Sequence, residues 1–362
     1  ADIEKLVRAE SPTLDKKLAD QCADLLTNLF HERLGLEAEV LPQQEVGNHL
    51  RFVYGSGDDQ LLLLGHYDTV WEEGQLPFRI EGNKAYGPGI FDMKAGVIQA
   101  MRDVKACSDL DIPLSKSVVL LCTGDEEISS PTSREWIEQE SLRSSAVLVT
   151  EPATVPSGAL KTGRKGVGRF KLYIKGRASH SGSHHEDGIS AVEEMAHQIR
   201  YLHSLTDYAK GTTLNVGVAR GGTRVNVVAE KAELDIDLRF QVTEEGERVA
   251  QFIQNLQPHL PGITLQVEGG ITRPTMERTP QIAKLFQTAA ECGKELGLTL
   301  KEEQAGGGSD ANFSAALGIP TIDGLGPVGA GAHAEHEHIL IDRIVERTAL
   351  LSKLIVRLAG AK

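Results

Sequence analysis

An α/β fold, built on a largely parallel sheet and interrupted by a smaller α+β insertion, is what this sequence predicts. Three observations carry that expectation. Short apolar runs at 61–64, 118–122 and 146–149 alternate with helix-like stretches, a βαβ rhythm that sets strands side by side in parallel. Beyond about residue 163 the texture changes to alternation with a period of two, the mark of strands with one solvated face. A chain of 362 residues is also long for one hydrophobic core, since cores stop growing near roughly 250 to 300 residues.

In chain order, Leu14, Leu18, Cys22, Leu25, Leu26 and Leu29 recur at helical spacing, so a helix within 3–36 is expected to pack on the sheet. Strands and helices then alternate through Glu151, with 93–107 a helix launched from the turn that holds Asp92. At 168–176, Phe170, Leu172 and Ile174 alternate with Arg169, Lys171 and Tyr173, and 232–240 repeats the pattern. Two amphipathic helices accompany them, one carrying Ala191, Met195, Ile199 and Leu202, the other Val249, Phe252, Ile253 and Leu256. This is an antiparallel sheet with helices on one side, ending near Arg273. Helix and short strand return from Thr279, with 319–322 as the last strand. The larger domain is therefore expected to be discontinuous, 1–163 and 273–362, split by an insertion over 164–272.

Composition excludes several classes. Apolar residues at 40% and charged residues at 25% describe a globular chain, and no apolar run approaches the ~20 residues that cross a bilayer, so no membrane partner is expected. The formal charge of −13, with no basic stripe, argues against nucleic acid. Cys22, Cys107, Cys122 and Cys292 are far apart and form no C-x-x-C pair, which favours buried thiols over disulfides or thiolate ligands. The chain opens Ala-Asp-Ile-Glu-Lys without a charged-then-apolar leader, as a processed chain would too, so cytoplasm and periplasm both stand.

The chemistry concentrates at strand ends. His66 follows one apolar run, Glu127 a second and Glu151 a third, while Asp92 lies in the turn before the 93–107 helix. Ligands of open α/β sheets collect outside the carboxyl ends of the strands, so these side chains are expected to converge on metal. Asp68, two residues past His66 on an extended backbone, suits the acceptor that fixes an imidazole tautomer. Asp92 has a structural alternative as a helix N-cap, but beside His66 its two oxygens suit a bridge between metals ~3.5 to 4 Å apart. In Gly124-Asp125-Glu126-Glu127, neighbouring carboxylates repel unless a cation offsets them, and their different directions let one ligate while the other acts as base. The alternative is a solvated acidic loop. His333 sits in a Gly-rich loop with His336 and His338 close by, and spacing alone does not choose among them. Gly306-Gly307-Gly308-Ser309-Asp310 suggests a nest for a substrate carboxylate, without the Lys of a P-loop.

Taken together, Gly65-His66-Tyr67-Asp68-Thr69-Val70, the Tyr86 to Lys94 turn, Thr123-Gly-Asp-Glu126-Glu127, Glu151-Pro152, Gly176-Arg-Ala-Ser-His180-Ser-Gly and Gly306-Gly-Gly-Ser-Asp310 resemble the dinuclear zinc exopeptidases, which include the glutamate carboxypeptidases, succinyl-diaminopimelate desuccinylases and aminoacylases. The resemblance covers nearly the whole chain. It implies an α/β catalytic domain, a mostly parallel mixed sheet with helices on both faces, interrupted by an α+β lid and dimerisation domain. It implies two zinc ions per subunit, with cobalt or manganese as substitutes. Asp92 would bridge them, His66 and Glu151 completing one site and Glu127 and His333 the other, with Glu126 as base and Asp68 orienting His66. His180 would reach a partner subunit's site in a homodimer, and Asn226, Arg239, Gly307 and Gly308 would contact substrate. For Arg239 a carboxylate partner on its own sheet is an equal alternative. The reaction implied is release of a C-terminal amino acid, glutamate first among them, from a peptide or N-acyl amino acid. An aminoacylase or N-succinyl-type deacylase of the same fold, and a non-catalytic metal-binding scaffold, are the rivals.

Overall fold

The computed structural model describes residues 1–360, and their contacts divide into two compact units. One unit comprises 1–163, 276–305 and 309–362, and the other 164–275 with 306–308. The expected boundaries were 163/164 and 272/273. The Gly306–Gly308 segment, assigned to the larger domain from sequence, groups with the smaller unit.

The larger unit is built on a six-stranded sheet in the order Glu39–Leu41, His49–Tyr54, Ser117–Thr123, Gln60–His66, Ser144–Val149 and Thr321–Ile322. The last four strands are mutually parallel, and the first two are added at one edge by antiparallel pairing. Every residue of Gln60–His66 and Ser117–Thr123 is buried, as strands covered on both faces require. Alternation sorts their side chains. Leu61, Leu63, Val118 and Leu120 join a cluster with Cys22, Leu26, Met101 and Leu354 from helices Lys16–Leu34, Ala95–Asp109 and Ile344–Ala359. Leu62, Leu64, Val119 and Leu121 join another with Ile137, Ile282 and Phe313 from helices Arg134–Leu142, Pro280–Glu295 and Ala311–Ala316. The sheet is therefore sandwiched between helical layers, each fed by every second residue.

Two local expectations need correction. The 3–36 stretch is not one helix but two, Asp2–Arg8 and Lys16–Leu34. Pro12 has no N–H to donate and pushes Ser11 out of the helical region, and Asp15 then caps the second helix by accepting from the Leu18 N–H. The helix expected from residue 93 begins at Ala95 with Lys94 at its N-cap position, so Asp92 does not cap it. The four cysteines are all buried and unpaired.

The smaller unit has a four-stranded antiparallel sheet ordered Thr213–Gly221, Lys231–Phe240, Gly166–Lys175 and Thr264–Arg273. Phe170, Leu172, Ile174, Leu234, Ile236 and Leu238 pack against Ala191 and Leu202 of helix Ala191–Ser204 and Val249 and Ile253 of helix Thr243–Gln254. Its other face carries ion pairs, including Arg220 with Glu233 at 2.9 Å and Arg239 with Asp237 at 2.8 Å. No helix among the described residues is long and apolar enough to cross a membrane.

Candidate metal centre

Sheet order explains why distant carboxylates and an imidazole meet. The His66 strand lies between the strands that precede Glu127 and Glu151, all three parallel, so their carboxyl ends open on one side. His66 is the last residue of its strand, Glu151 follows Ser144–Val149 by two residues, and Glu126 and Glu127 open a 3-10 turn just after Ser117–Thr123. The helix Ala95–Asp109 packs tightly onto this edge, because a Cβ at Gly96 would collide with the Thr150 carbonyl oxygen next to Glu151.

A second, small antiparallel sheet brings in the remaining donors. Strands Gly329–Ala330, His338–Leu340, Lys84–Tyr86 and Arg79–Glu81 pair in that order. The loop joining the first two carries His333, and the turn leaving Lys84–Tyr86 carries Asp92. These strands are too short to show in the sequence.

Asp92 stands between two imidazoles. Its Oδ1 is 3.3 Å from His66 Nε2, and its Oδ2 is 3.4 Å from His333 Nε2. Glu151 Oε1 lies 3.7 Å from His66 Nε2, and Glu127 Oε2 lies 3.2 Å from His333 Nε2. The ligand atoms of His66, Asp92 and Glu151 all lie within 4.8 Å of one another, as do those of Asp92, Glu127 and His333. Two donors each 2.0–2.2 Å from one ion are at most ~4.4 Å apart, and the imidazole–carboxylate pairs at 3.2 to 3.7 Å fall inside that limit. Glu127 Oε1 is buried with no hydrogen-bond partner, an orphan that a cation would satisfy.

Among the three histidines of the loop, geometry selects His333. His338 Nδ1 is engaged with the His336 carbonyl at 2.7 Å and its ring lies against Tyr86. His333 takes φ +61°, a left-handed conformation uncommon for a side-chain-bearing residue and concentrated at functional sites.

Buried acceptors hold the donors in place. Asp68 Oδ1 sits 3.3 Å from His66 Nδ1 and accepts from the Glu126 N–H, while its Oδ2 accepts from the Glu127 N–H and the Thr13 hydroxyl. The Asp68 carbonyl also meets His66 Nδ1, at 3.1 Å, so Asp68 holds the imidazole through main chain and side chain while its carboxylate fixes the turn bearing both glutamates. Sequence reasoning missed the role of Glu337. Its Oε1 accepts from the N–H groups of Phe91 and Asp92, and its Oε2 from Gly89 N–H and, at 2.6 Å, the Trp71 indole. Its place four residues after His333 was the available signal. Asp125, beside the glutamates, faces away and accepts from the N–H and hydroxyl groups of Thr132 and Ser133.

The charge balance favours cations. Burial would lower the His66 pKa, yet the carboxylates of Asp68 and Asp92 carry it well above the ordinary imidazole value. Asp92 is opposed by burial, but its hydrogen bonds to His333 and His66 hold it well below the carboxylate range. Asp92 and Glu127 raise His333 to about 11, and burial pushes Glu127 up to about 7. Without metal, protons on imidazoles and on Glu127 offset surplus negative charge, a task that divalent cations perform more fully.

The remaining predicted residues fall elsewhere. Ser309 and Asp310 are buried anchors: Ser309 donates to Asp323 at 2.7 Å, and Asp310 accepts from Ser130. In the expected anion nest, the carbonyls of Gly307 and Gly308 accept from the Arg164 guanidinium at 3.0 and 3.2 Å. Those two glycines, Asn226, Arg239 and His180 all belong to the smaller unit. Asn226 is exposed, its carbonyl accepting from Ser181 N–H at 3.1 Å. Arg239 donates twice to Asp237, two residues back along its own strand. His180 Nδ1 accepts from the N–H groups of Gly182 and Ser183, both at 3.1 Å, so the neutral ring carries its proton on Nε2.

Residues 62–357 match peptidase family M20/M25/M40. The chain is 32% identical to carboxypeptidase G2 of Pseudomonas sp. (strain RS-16) over 99% of its own length and 89% of that protein. It is 33% identical to acetylornithine deacetylase of Proteus mirabilis (strain HI4320) over 65% of each. Among solved structures, the M20 family metallo-carboxypeptidase Sso-CP2 from Sulfolobus solfataricus has the same fold, with a TM-score of 0.73 at 18% identity, covering 98% of this chain and 97% of that one.

Proposed function

Because the chain belongs to peptidase family M20/M25/M40 and is a metallohydrolase of that family, we propose that it is a dizinc amidohydrolase that releases a C-terminal amino acid, glutamate first among the substrates, from a peptide or N-acyl amino acid. The observation that carries this reading is Asp92, with one carboxylate oxygen toward His66 and the other toward His333. The mixed imidazole and carboxylate set suits zinc, and cobalt or manganese also accept such donors. Two ions held there supply Lewis acidity to the scissile carbonyl and a water acidic enough to ionise near neutral pH.

The protein's own groups supply the rest. Glu126 takes the proton of the attacking water and hands it to the leaving amine, while the Asp68 bond to its backbone N–H keeps it beside Glu127. His180, with Nδ1 occupied by two backbone donors, offers Nε2–H as a hydrogen-bond donor to the developing oxyanion of a partner subunit in a homodimer. Loss of such a donor costs about 10² to 10³ in rate. Asn226 contacts the substrate carboxylate, and Arg239 joins it with the donors left over from its pair with Asp237. A net charge of −13 opposes an acidic substrate at long range, so its recognition depends on such local donors.

The deacetylase relative keeps a second reading in view, in which the acyl group is the recognised half. Metal content and hydrolysis of a panel of peptides, N-acetyl amino acids and N-succinyl amines, by wild type and Glu126→Gln, test both. The expected outcome is two zinc ions per chain in each protein, turnover of the acyl-glutamates by wild type, and activity lower by several orders of magnitude in the variant. Equal hydrolysis of acyl-alanines removes the glutamate assignment, and bound zinc with no turnover revives a scaffold role.

A further inference from the structure

We infer that a cavity beside Glu127 is the subsite for the acyl half of the substrate, and that it selects neutral, apolar acyl groups over acids such as succinyl. The inference rests on the proposed amide hydrolysis and specifies its substrate. The cavity measures about 570 Å³, within the range of small-molecule sites, and lies within the larger unit. One of its walls is Glu127, a candidate metal ligand, so a substrate whose scissile carbonyl meets the metal centre has one half directed here.

Three features define what fits. The first is an apolar lip: Leu14 is 75% and Val70 43% exposed, with half-buried Ile128 beside them. Single exposed leucines are ordinary, but three apolar side chains around a cavity walled by a candidate metal ligand form a binding surface. The second is charge. Asp15 and Glu72 line the cavity against one cation, Lys16, whose ammonium is already held by Asp20 Oδ2, Asn48 Oδ1 and the Val46 carbonyl. A carboxylate entering here meets net repulsion, so the acidic half of the substrate is excluded and the acyl half admitted. The third is rigidity. Thr13 N–H bonds the Thr69 carbonyl, Thr69 N–H the Ser11 carbonyl, and the Thr13 hydroxyl bonds Asp68, which ties the floor to the residue that orients His66. A preformed wall loses little freedom when an acyl chain settles on it.

The test compares N-acetyl-, N-butyryl-, N-hexanoyl- and N-succinyl-glutamate in wild type, Leu14→Ser and Leu14→Lys. Hydrolysis is followed as kcat/KM in proteins with active Glu126, and binding by titration calorimetry in the matching Glu126→Gln backgrounds. Leu14 is exposed, so neither substitution threatens folding. The inference expects hexanoyl to exceed acetyl by about tenfold in kcat/KM, given the methylenes added to an open apolar surface. It expects that ratio to collapse in Leu14→Ser and succinyl to gain relative to butyryl in Leu14→Lys. Equal rates across chain length, or a wild-type preference for succinyl, overturns the subsite and leaves the hydrolase reading standing. Chain-length-dependent binding that Leu14→Ser abolishes, with no turnover of any compound, upholds the cavity and overturns the hydrolase. Neither binding nor turnover of any compound overturns both.

Discussion

Glu337 accepts four hydrogen bonds on one buried carboxylate, three from the backbone of the turn that presents Asp92 and one from Trp71. No neutral side chain of the same shape can do this. In Glu337→Gln the amide nitrogen must face N–H donors whichever way it is turned, so the Asp92 turn loses at least one anchor. Residues that hold a metal ligand in this way typically cost 10–100-fold in metal affinity when replaced. Zinc affinity in Glu337→Gln, measured by competition with a chelating dye, is expected to fall by about that factor. Wild-type affinity would contradict the assignment. The sequence made His66, Glu127 and Glu151 legible because each follows an apolar run whose end is visible. The bonds of Glu337 were illegible because its partners lie 245 to 266 residues away, and its place four residues after His333 marks the residue without telling what it holds.

At the level of elements, long strands and amphipathic helices were readable and short pieces were not. The alternation around Phe170 and Leu234 appears as two ten-residue strands, because solvent on one face forces a period of two. The strands of two and three residues that join the His333 loop to the Asp92 turn have no period to detect. Helix packing adds a polar contact that periodicity also concealed. Asp103, in Ala95–Asp109, is fully buried against helix Ile344–Ala359, with Ser352 donating to Oδ1 at 2.8 Å and Oδ2 without a partner. Burial raises its pKa well above the ordinary carboxyl value, only partly opposed by Ser352. The folded chain therefore holds this proton more tightly than the unfolded chain. As pH rises past the ordinary carboxyl value, the unfolded state ionises first and stability falls, until the raised folded-state value is passed. Asp103→Asn keeps an acceptor for Ser352 and cannot ionise. Its unfolding free energy from urea titration is expected to match wild type near pH 4 and to exceed it at pH 8, by about 1–3 kcal/mol. An equal difference at both pH values would show that Asp103 is not protonated in the folded protein.

For the molecule as a whole, the candidate ligands and the apolar cores are divided between the two units in a way that unfolding can report. His66, Asp92, Glu127, Glu151 and His333 all belong to the larger unit, whose clusters around Leu61 and Leu62 share no residue with the cluster around Leu234. A cation that binds only the native larger unit stabilises that unit by RT ln(1 + [L]/Kd), about 4 kcal/mol at a thousandfold excess over Kd. The smaller unit, which contributes no ligand to either triplet, gains nothing by that route. Removing metal also leaves three carboxylates facing two imidazoles, and acidification has the same consequence, since a protonated His66 or His333 cannot ligate. Calorimetry of the zinc-loaded protein is thus expected to show two transitions. Chelation, or a shift from pH 7.5 to 5.5, lowers the one assigned to the larger unit by several degrees and leaves the other in place. Hydrogen exchange assigns the transitions, because amides of Gln60–His66 and Ser117–Thr123 lose protection with the metal-dependent step. If the two transitions move together on chelation, metal binding is coupled across the units, and the lid's response to the metal centre becomes measurable by the same experiment.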